Sequence, residues 1–195
     1  MDEFSVRKGQ RYQTLFCDLD LRRRLEVVAG RDKESAQRYL EKLVEPEKVR
    51  VVVMDLSGPY RAAVEECLPW ADIVADKMHV IGLVNRALDR VRLRTQRAQG
   101  EEKRGPVYEG RYLLLRNPED LVEDDRLRLR ELLRRNPELR RAWQLKEDFR
   151  RWYREADVKG ARLELHAWER EVEARGPKEY RALLGTFQRW REPIL

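Results

Sequence analysis

The sequence predicts an α/β fold: a mixed five-stranded sheet with helices over residues 1–98, then an all-α helical insertion region over residues 99–195. Three observations carry this. The first 30 residues hold three β-rich runs with short connections. Val49 to Asp55, VRVVVMD, is an unbroken apolar run set between helix-period segments. Beyond Gln99–Pro106, QGEEKRGP, the apolar residues recur at helical spacing.

Asp2 to Arg7 alternates weakly, and Lys8-Gly9-Gln10 supplies a turn. Tyr12 to Leu19 is apolar through Leu15, Phe16 and Cys17, and Asp18-Leu19-Asp20 turns the chain again. Arg24 to Ala29 is the third strand, closed by Gly30. Three strands with tight connections predict an antiparallel meander. Asp32 to Leu43 is a helix with Ala36, Tyr39, Leu40 and Leu43 on its apolar stripe and Asp32 as its cap. Val49 to Asp55 follows. Five of its first six residues are apolar and four are Val, a type suited to a pleated, packed surface, so the run reads as a strand buried on both faces. Ser57-Gly58-Pro59 ends it, Tyr60 to Cys67 is a short helix, and Ala71 to Ala75 is the fifth strand. From His79 a long helix carries Val80, Leu83, Val84, Ala87, Leu88 and Val91 on one side and Arg86, Arg90, Arg92, Arg94 and Arg97 on the other.

In the helical region, Asn117-Pro118-Glu119 and Asn136-Pro137-Glu138 each place a cap, a first-turn Pro and an acid in the favoured order. Ala161 to Ala174 is a further helix, and Gly176-Pro177 starts a last one holding Tyr180, Leu183, Leu184, Phe187 and Trp190.

Composition narrows the function classes. A net charge of +6 with 42 basic and 36 acidic residues favours a polyanionic partner without requiring one. Cys17 and Cys67 have no metal-ligand spacing, which predicts reduced core thiols in a cytoplasmic protein. The sequence has no signal peptide and no apolar run of membrane-spanning length.

Asp55 is the acid that matters most. In open α/β sheets, sites collect at the carboxyl ends of central strands; the competing reading is a plain cap or turn. The element order strand-strand-strand-helix-strand-helix-strand-helix is that of a ribonuclease-H-like core, in which the first and fourth strands are neighbours and Asp2 would face Asp55. Two carboxylates there suit magnesium, which takes hard oxygen ligands. Paired ions activate a nucleophile and stabilise the leaving oxygen of a phosphodiester.

Asp2 to Tyr12, DEFSVRKGQRY, with Asp18-Leu19, resembles the opening of the catalytic domain in DDE transposases of bacterial insertion sequences, of the ISL-three type. Met54 to Tyr60, MDLSGPY, resembles the second-acid motif. Ala71 to Arg92 resembles a segment that the family writes with Asp-Arg-Phe-His, where Lys77 and Met78 stand for Arg and Phe. The likeness continues from Arg111 to Arg150, through LLLRNPEDL, LLRRNPELRRAW and QLKEDFR.

The resemblance implies a polynucleotidyl transferase that uses magnesium or manganese to cut and join DNA, with Asp2 and Asp55 as catalytic and metal-binding acids. It implies DNA as partner, a homodimer or higher assembly, no small-molecule cofactor and no membrane. The family's third-acid motif, with Asn, Glu, Gly, Asn and a basic residue, does not occur here. The usual amino-terminal DNA-binding region is also absent, and the first strand opens almost on a carboxylate. The expectation is therefore a central, truncated fragment, weak or inactive alone. The alternative is a non-enzymatic remnant that binds DNA or self-associates.

Other polar residues receive plainer readings. His79 is a site-proximal, capping or packing residue, and His166 is a packing or surface histidine. Glu164, Glu169, Glu171 and Glu173 are read as a solvated face rather than a substitute third acid. The tryptophans are read mainly as core, and the Arg134-Arg135, Arg140-Arg141 and Arg150-Arg151 pairs mainly as surface ion pairs.

Overall fold

The computed structural model describes residues 1–7, 11–100, 105–157 and 159–195. The expected turn at Lys8-Gly9-Gln10 and most of the Gln99–Pro106 link lie outside them. The chain divides into two compact units, one of residues 1–80 with 190–194, the other of residues 81–189 with 195.

In the first unit, β1 (Asp2–Arg7), β2 (Arg11–Asp18) and β3 (Arg23–Ala29) form the antiparallel meander. Asp2 lies opposite Leu15, and Leu15 opposite Val27. The Asp18 carboxylate accepts from the Leu21 N–H at 2.9 Å, and Arg22 takes a positive φ of 50°, which turns the chain into β3. Alternation along β2 sends Thr14 and Phe16 inward, where both are buried.

Asp32 caps α1 (Lys33–Leu40), its Oδ1 accepting from the Ser35 N–H at 2.8 Å. The helix stops at Leu40, three residues before the expected end. Lys42 N–H bonds back to Tyr39 O and Leu43 N–H to Leu40 O, tightening the chain out of α-helical register. Ser57 rather than Asp55 caps α2 (Gly58–Cys67). Tyr60, on its first turn, is fully buried. Its hydroxyl lies 2.7 Å from Thr14 Oγ1. Thr14 Oγ1 donates to Gly30 O at 2.9 Å, so the Tyr60 hydroxyl is the donor to Thr14.

β4 (Val51–Met54) and β5 (Asp72–Ala75) are parallel, in register from Val51 opposite Asp72 to Met54 opposite Ala75. All five expected strands are thus present. Among the described residues they form a three-stranded and a two-stranded sheet, and the single five-stranded sheet is not shown. The Met1 nitrogen donates to Val53 O at 2.7 Å, which sets the start of β1 beside β4, but one bond is not a ladder.

Three further expectations are corrected. β4 is not buried on both faces: Val51 is 52% exposed, and burial is complete only at Met54. The two cysteines are free, yet Cys17 is exposed and Cys67 only half-buried, so neither is a core thiol. The last helix is broken into α9 (Lys178–Arg181), α10 (Leu184–Arg189) and α11 (Arg191–Ile194), where a three-residue bond from Leu183 N–H to Tyr180 O interrupts the ladder. In the first unit α11 packs against β5.

The second unit begins within α3 (Lys77–Ala98) and continues through α4 (Pro106–Glu109), α5 (Arg111–Leu115), α6 (Glu123–Arg135), α7 (Pro137–Glu155) and α8 (Ala161–Arg175), then α9 and α10. Its centre is aromatic. Phe149 is fully buried, with ring centroids 4.9 Å from Trp168, 5.2 Å from Trp152 and 5.3 Å from Phe187. The indoles of Trp152 and Trp168 donate to Ala161 O and Leu145 O, each at 2.9 Å, so these rings bury their polar edge satisfied. Trp70, in the first unit, is 51% exposed and departs from the core reading.

Asn117-Pro118-Glu119 opens only a single 3-10 turn, and α6 starts later at Glu123. Asn136 does not cap α7. It donates to Leu132 O at 2.8 Å and accepts from Gln99 Nε2 at 2.6 Å, closing α6 instead. Glu169 is buried, 7% exposed, and so leaves the solvated face expected for it.

Candidate functional site

The parallel register of β4 and β5 makes one part of the site inevitable. Met54 and Ala75 are the last paired residues, so Asp55 and Asp76 are the first residues past two adjacent strand ends. The Asp76 N–H donates to Met54 O at 2.6 Å, locking that adjacency. Asp76 also begins α3. Its Oδ1 accepts from the Met78 N–H at 2.7 Å and its carbonyl from the Val80 N–H at 3.0 Å. A carboxylate at a helix start is favoured by the backbone dipoles there.

Asp2 enters from β1. Its side chain is 55% exposed, and its Oδ1 lies 3.8 Å from His79 Nε2. His79 Nδ1 lies 3.3 Å from Asp76 Oδ2. The imidazole therefore stands between two carboxylates and pairs with both when protonated. Asp55 is half-buried, with its Oδ1 removed from solvent.

Burial lowers the pKa of the Met1 amino group, while electrostatic interaction with nearby groups acts to raise it, and burial prevails. Among the described residues no group of three His, Cys, Asp or Glu side chains is arranged to hold a metal ion. Sequence reading singled out Asp2 and Asp55 and did not single out Asp76. The signal for Asp76 was its position directly after a strand parallel to β4, the same carboxyl-end rule that selected Asp55.

His166 lies elsewhere, on α8, 57% exposed and 3.7 Å from Glu169. Glu171 pairs with Arg141. Of the arginine pairs, Arg134 and Arg135 both bond Glu131, and Arg150 bonds Glu119 through two nitrogens at 2.7 Å each. None of the described helices is long and apolar enough to cross a membrane.

The comparison with known families finds a match over residues 1–195 to the family described as transposase, of the ISL3 DDE type. The transposase for insertion sequence element IS1001 of Bordetella parapertussis is 32% identical over 193 residues, covering 96% of this chain and 46% of the relative. The transposase for insertion sequence element IS1557, from two strains of Mycobacterium tuberculosis, is 29% identical over 175 residues, covering 77% of this chain and 39% of the relative. The chain spans less than half the length of these curated relatives. No solved structure matches it.

Proposed function

Because the chain belongs to the ISL3-type family of DDE transposases, we propose that it is the central catalytic segment of a DNA transposase, with Asp2 and Asp55 as its first two metal-binding acids. The observation that carries this reading is geometric: Asp55 and Asp76 stand just past the in-register ends of β4 and β5, and His79 lies between Asp76 at 3.3 Å and Asp2 at 3.8 Å. In this reading residues 1–98 are a ribonuclease-H-like core whose strands extend in the order β3-β2-β1-β4-β5. Residues 99–195 are its helical insertion.

The donor set fits magnesium or manganese: carboxylate oxygens are the hard ligands these ions take, with water and phosphate completing the shell. Asp2 is exposed enough to leave room for both. Bound there, the ion supplies Lewis-acid activation of a nucleophile and stabilises the leaving oxygen. The protein's own part is positional. Asp55 is fixed by the end of β4, Asp2 by its pairing opposite Leu15, and Asp76 by its bonds into α3. His79 stands between Asp2 and Asp76 at the rim, 3.8 Å from the one and 3.3 Å from the other. In this reading Asp2 and Asp55 are the first two acids of the family's triad, and the complete transposase acts on DNA as a dimer or higher assembly.

Manganese titration followed by paramagnetic broadening tests the pair directly. Resonances around Asp2 and Asp55 should broaden in this chain and stay sharp in Asp55→Asn. In the complete gene product, Asp55→Asn should abolish cleavage and joining of DNA. Normal activity in that variant removes the catalytic assignment, and the non-enzymatic reading takes its place.

A further inference from the structure

The arginines of α3 divide into two groups with different tasks. Arg92 is buried and spends its guanidinium on Asp89 at 2.7 Å and Gln96 at 3.1 Å. Arg94 is taken up by Glu138 and Glu179. Arg86, Arg90 and Arg97 are exposed, and among the described residues none of them forms an ion pair. From Ile81 to Ala98 the helix holds a single acid, Asp89, and that acid is already engaged by Arg92 and, at 3.4 Å, by Arg111.

The three exposed arginines form a row. At about 100° and 1.5 Å per residue they fall within an arc of about 40°, spaced about 6 Å and about 10.5 Å along the axis. Gly82 clears the ground at one end: a Cβ there would lie 3.1 Å from Arg86 Nη1, so the guanidinium lies along the helix surface one turn back. A straight, rigid row of about 16.5 Å carrying only positive charge matches the regular phosphates of a duplex strand. Elsewhere on the chain some exposed arginines are neutralised within their own element, as Arg134 and Arg135 are by Glu131, while others such as Arg130, Arg140 and Arg170 stand singly on different helices; what distinguishes α3 is three such arginines along one face of one helix. Leaving this row unneutralised on the longest helix keeps a desolvation-ready cation set for an external polyanion.

We propose that the Arg86–Arg90–Arg97 row of α3 is a phosphate-backbone contact surface for duplex DNA. This rests on the transposase reading and adds to it the surface that grips the substrate outside the acidic site. It fixes position on the duplex and carries no sequence information.

The test is fluorescence anisotropy of the chain with a labelled DNA duplex across a salt series. Each phosphate contact contributes about 0.9 to the slope of log K against log salt, so R86Q/R90Q/R97Q should lower the slope by about 2.7. Gln matches Arg closely in helix propensity, and circular dichroism checks that the fold is kept. The comparator R130Q/R140Q/R170Q removes the same charge from exposed positions on α6, α7 and α8 and should leave the slope nearly unchanged. Equal losses in both variants would mean diffuse attraction by net charge and would overturn the assignment. An unchanged slope in the α3 variant overturns it while leaving DNA as the substrate. No binding by the unsubstituted chain overturns it too, and the manganese titration of Asp55→Asn then judges the transposase reading independently.

Discussion

Arg94→Met probes the strongest ionic junction of the second unit. Arg94 donates from Nε to Glu179 Oε1 at 2.7 Å, from Nη1 to Glu138 Oε2 at 2.8 Å and from Nη2 to Glu138 Oε1 at 2.6 Å. One side chain thus ties α3, α7 and α9 together. The two carboxylates are not equivalent. Glu138 is 52% exposed, and its pair with Arg94 is worth about 0.5–1 kcal/mol. Glu179 is 9% exposed, and removing one partner of a buried pair costs about 3–5 kcal/mol. Arg94 is itself 34% exposed, so water relieves part of that, leaving about 2–3 kcal/mol. The expected total at pH 7 is about 3 kcal/mol, read by urea unfolding. Adding Glu179→Gln to the variant should restore about half, because the stranded charge is then gone.

The pH dependence has a definite sign. Burial pushes the Glu179 carboxyl up, but the Arg94 guanidinium overrides it and holds the carboxyl below its ordinary 4.5; Arg94 lowers Glu138 likewise. Groups with depressed folded pKa values stabilise the fold above 4.5 and lose that contribution as pH falls through the folded values. The gap between the unsubstituted protein and Arg94→Met should therefore narrow as pH drops below 4.5. A loss under 1 kcal/mol at pH 7, or a gap constant with pH, would refute the reasoning.

Three further outcomes follow from the same kind of geometry. Tyr60→Phe deletes the donor to Thr14 Oγ1 in a buried site and should cost about 1–2 kcal/mol in denaturant unfolding, while Thr14 keeps its bond to Gly30 O. The Glu119 carboxyl, gripped by Arg150, is lowered to about 2 and should titrate there by carbon-13 shifts; Arg150→Gln should return it toward 4.5. Gly176→Ala would set a Cβ 2.4 Å from Val172 O, a backbone atom at the end of α8 that no rotamer change can move, so a loss of about 3 kcal/mol is expected and a loss under 1 kcal/mol would contradict that contact.

Local chemistry made the elements legible, and non-local pairing hid their assembly. The meander, the capped α1 and the β4-α2-β5 crossover follow from alternation, from Asp32 and from the valine run. Which strands share a ladder depends on hydrogen bonds between distant segments, and no periodicity encodes them. Asn136 shows the same limit in miniature. Its cap-Pro-acid pattern does begin a helix, but its side chain found better partners in Leu132 O and Gln99, one of them far away in sequence. Glu169 shows it again: helical spacing placed it among charged neighbours, while the packing of α8 on α7 drew it under. Cys17 lies in an apolar stretch of sequence yet faces outward, because alternation assigns it the face opposite Thr14 and Phe16.

The acidic site was legible in proportion to how much of it backbone topology dictates. Asp55 and Asp76 are neighbours because a parallel pair ends in register at Met54 and Ala75, and no side-chain packing is needed to bring them together. Asp2 arrives by a looser route, through the single bond from the Met1 nitrogen to Val53 O and the contact of His79 with its carboxylate. The pair that topology fixes is therefore Asp55 and Asp76, whereas the pair that the family motifs select is Asp2 and Asp55. The two selections share Asp55, which makes it the one residue on which every version of the metal-site reading depends. His79 stands next to both selections: its Nε2 lies 3.8 Å from Asp2 and its Nδ1 3.3 Å from Asp76, so the acid chosen by the motifs and the acid chosen by the topology share one neighbour.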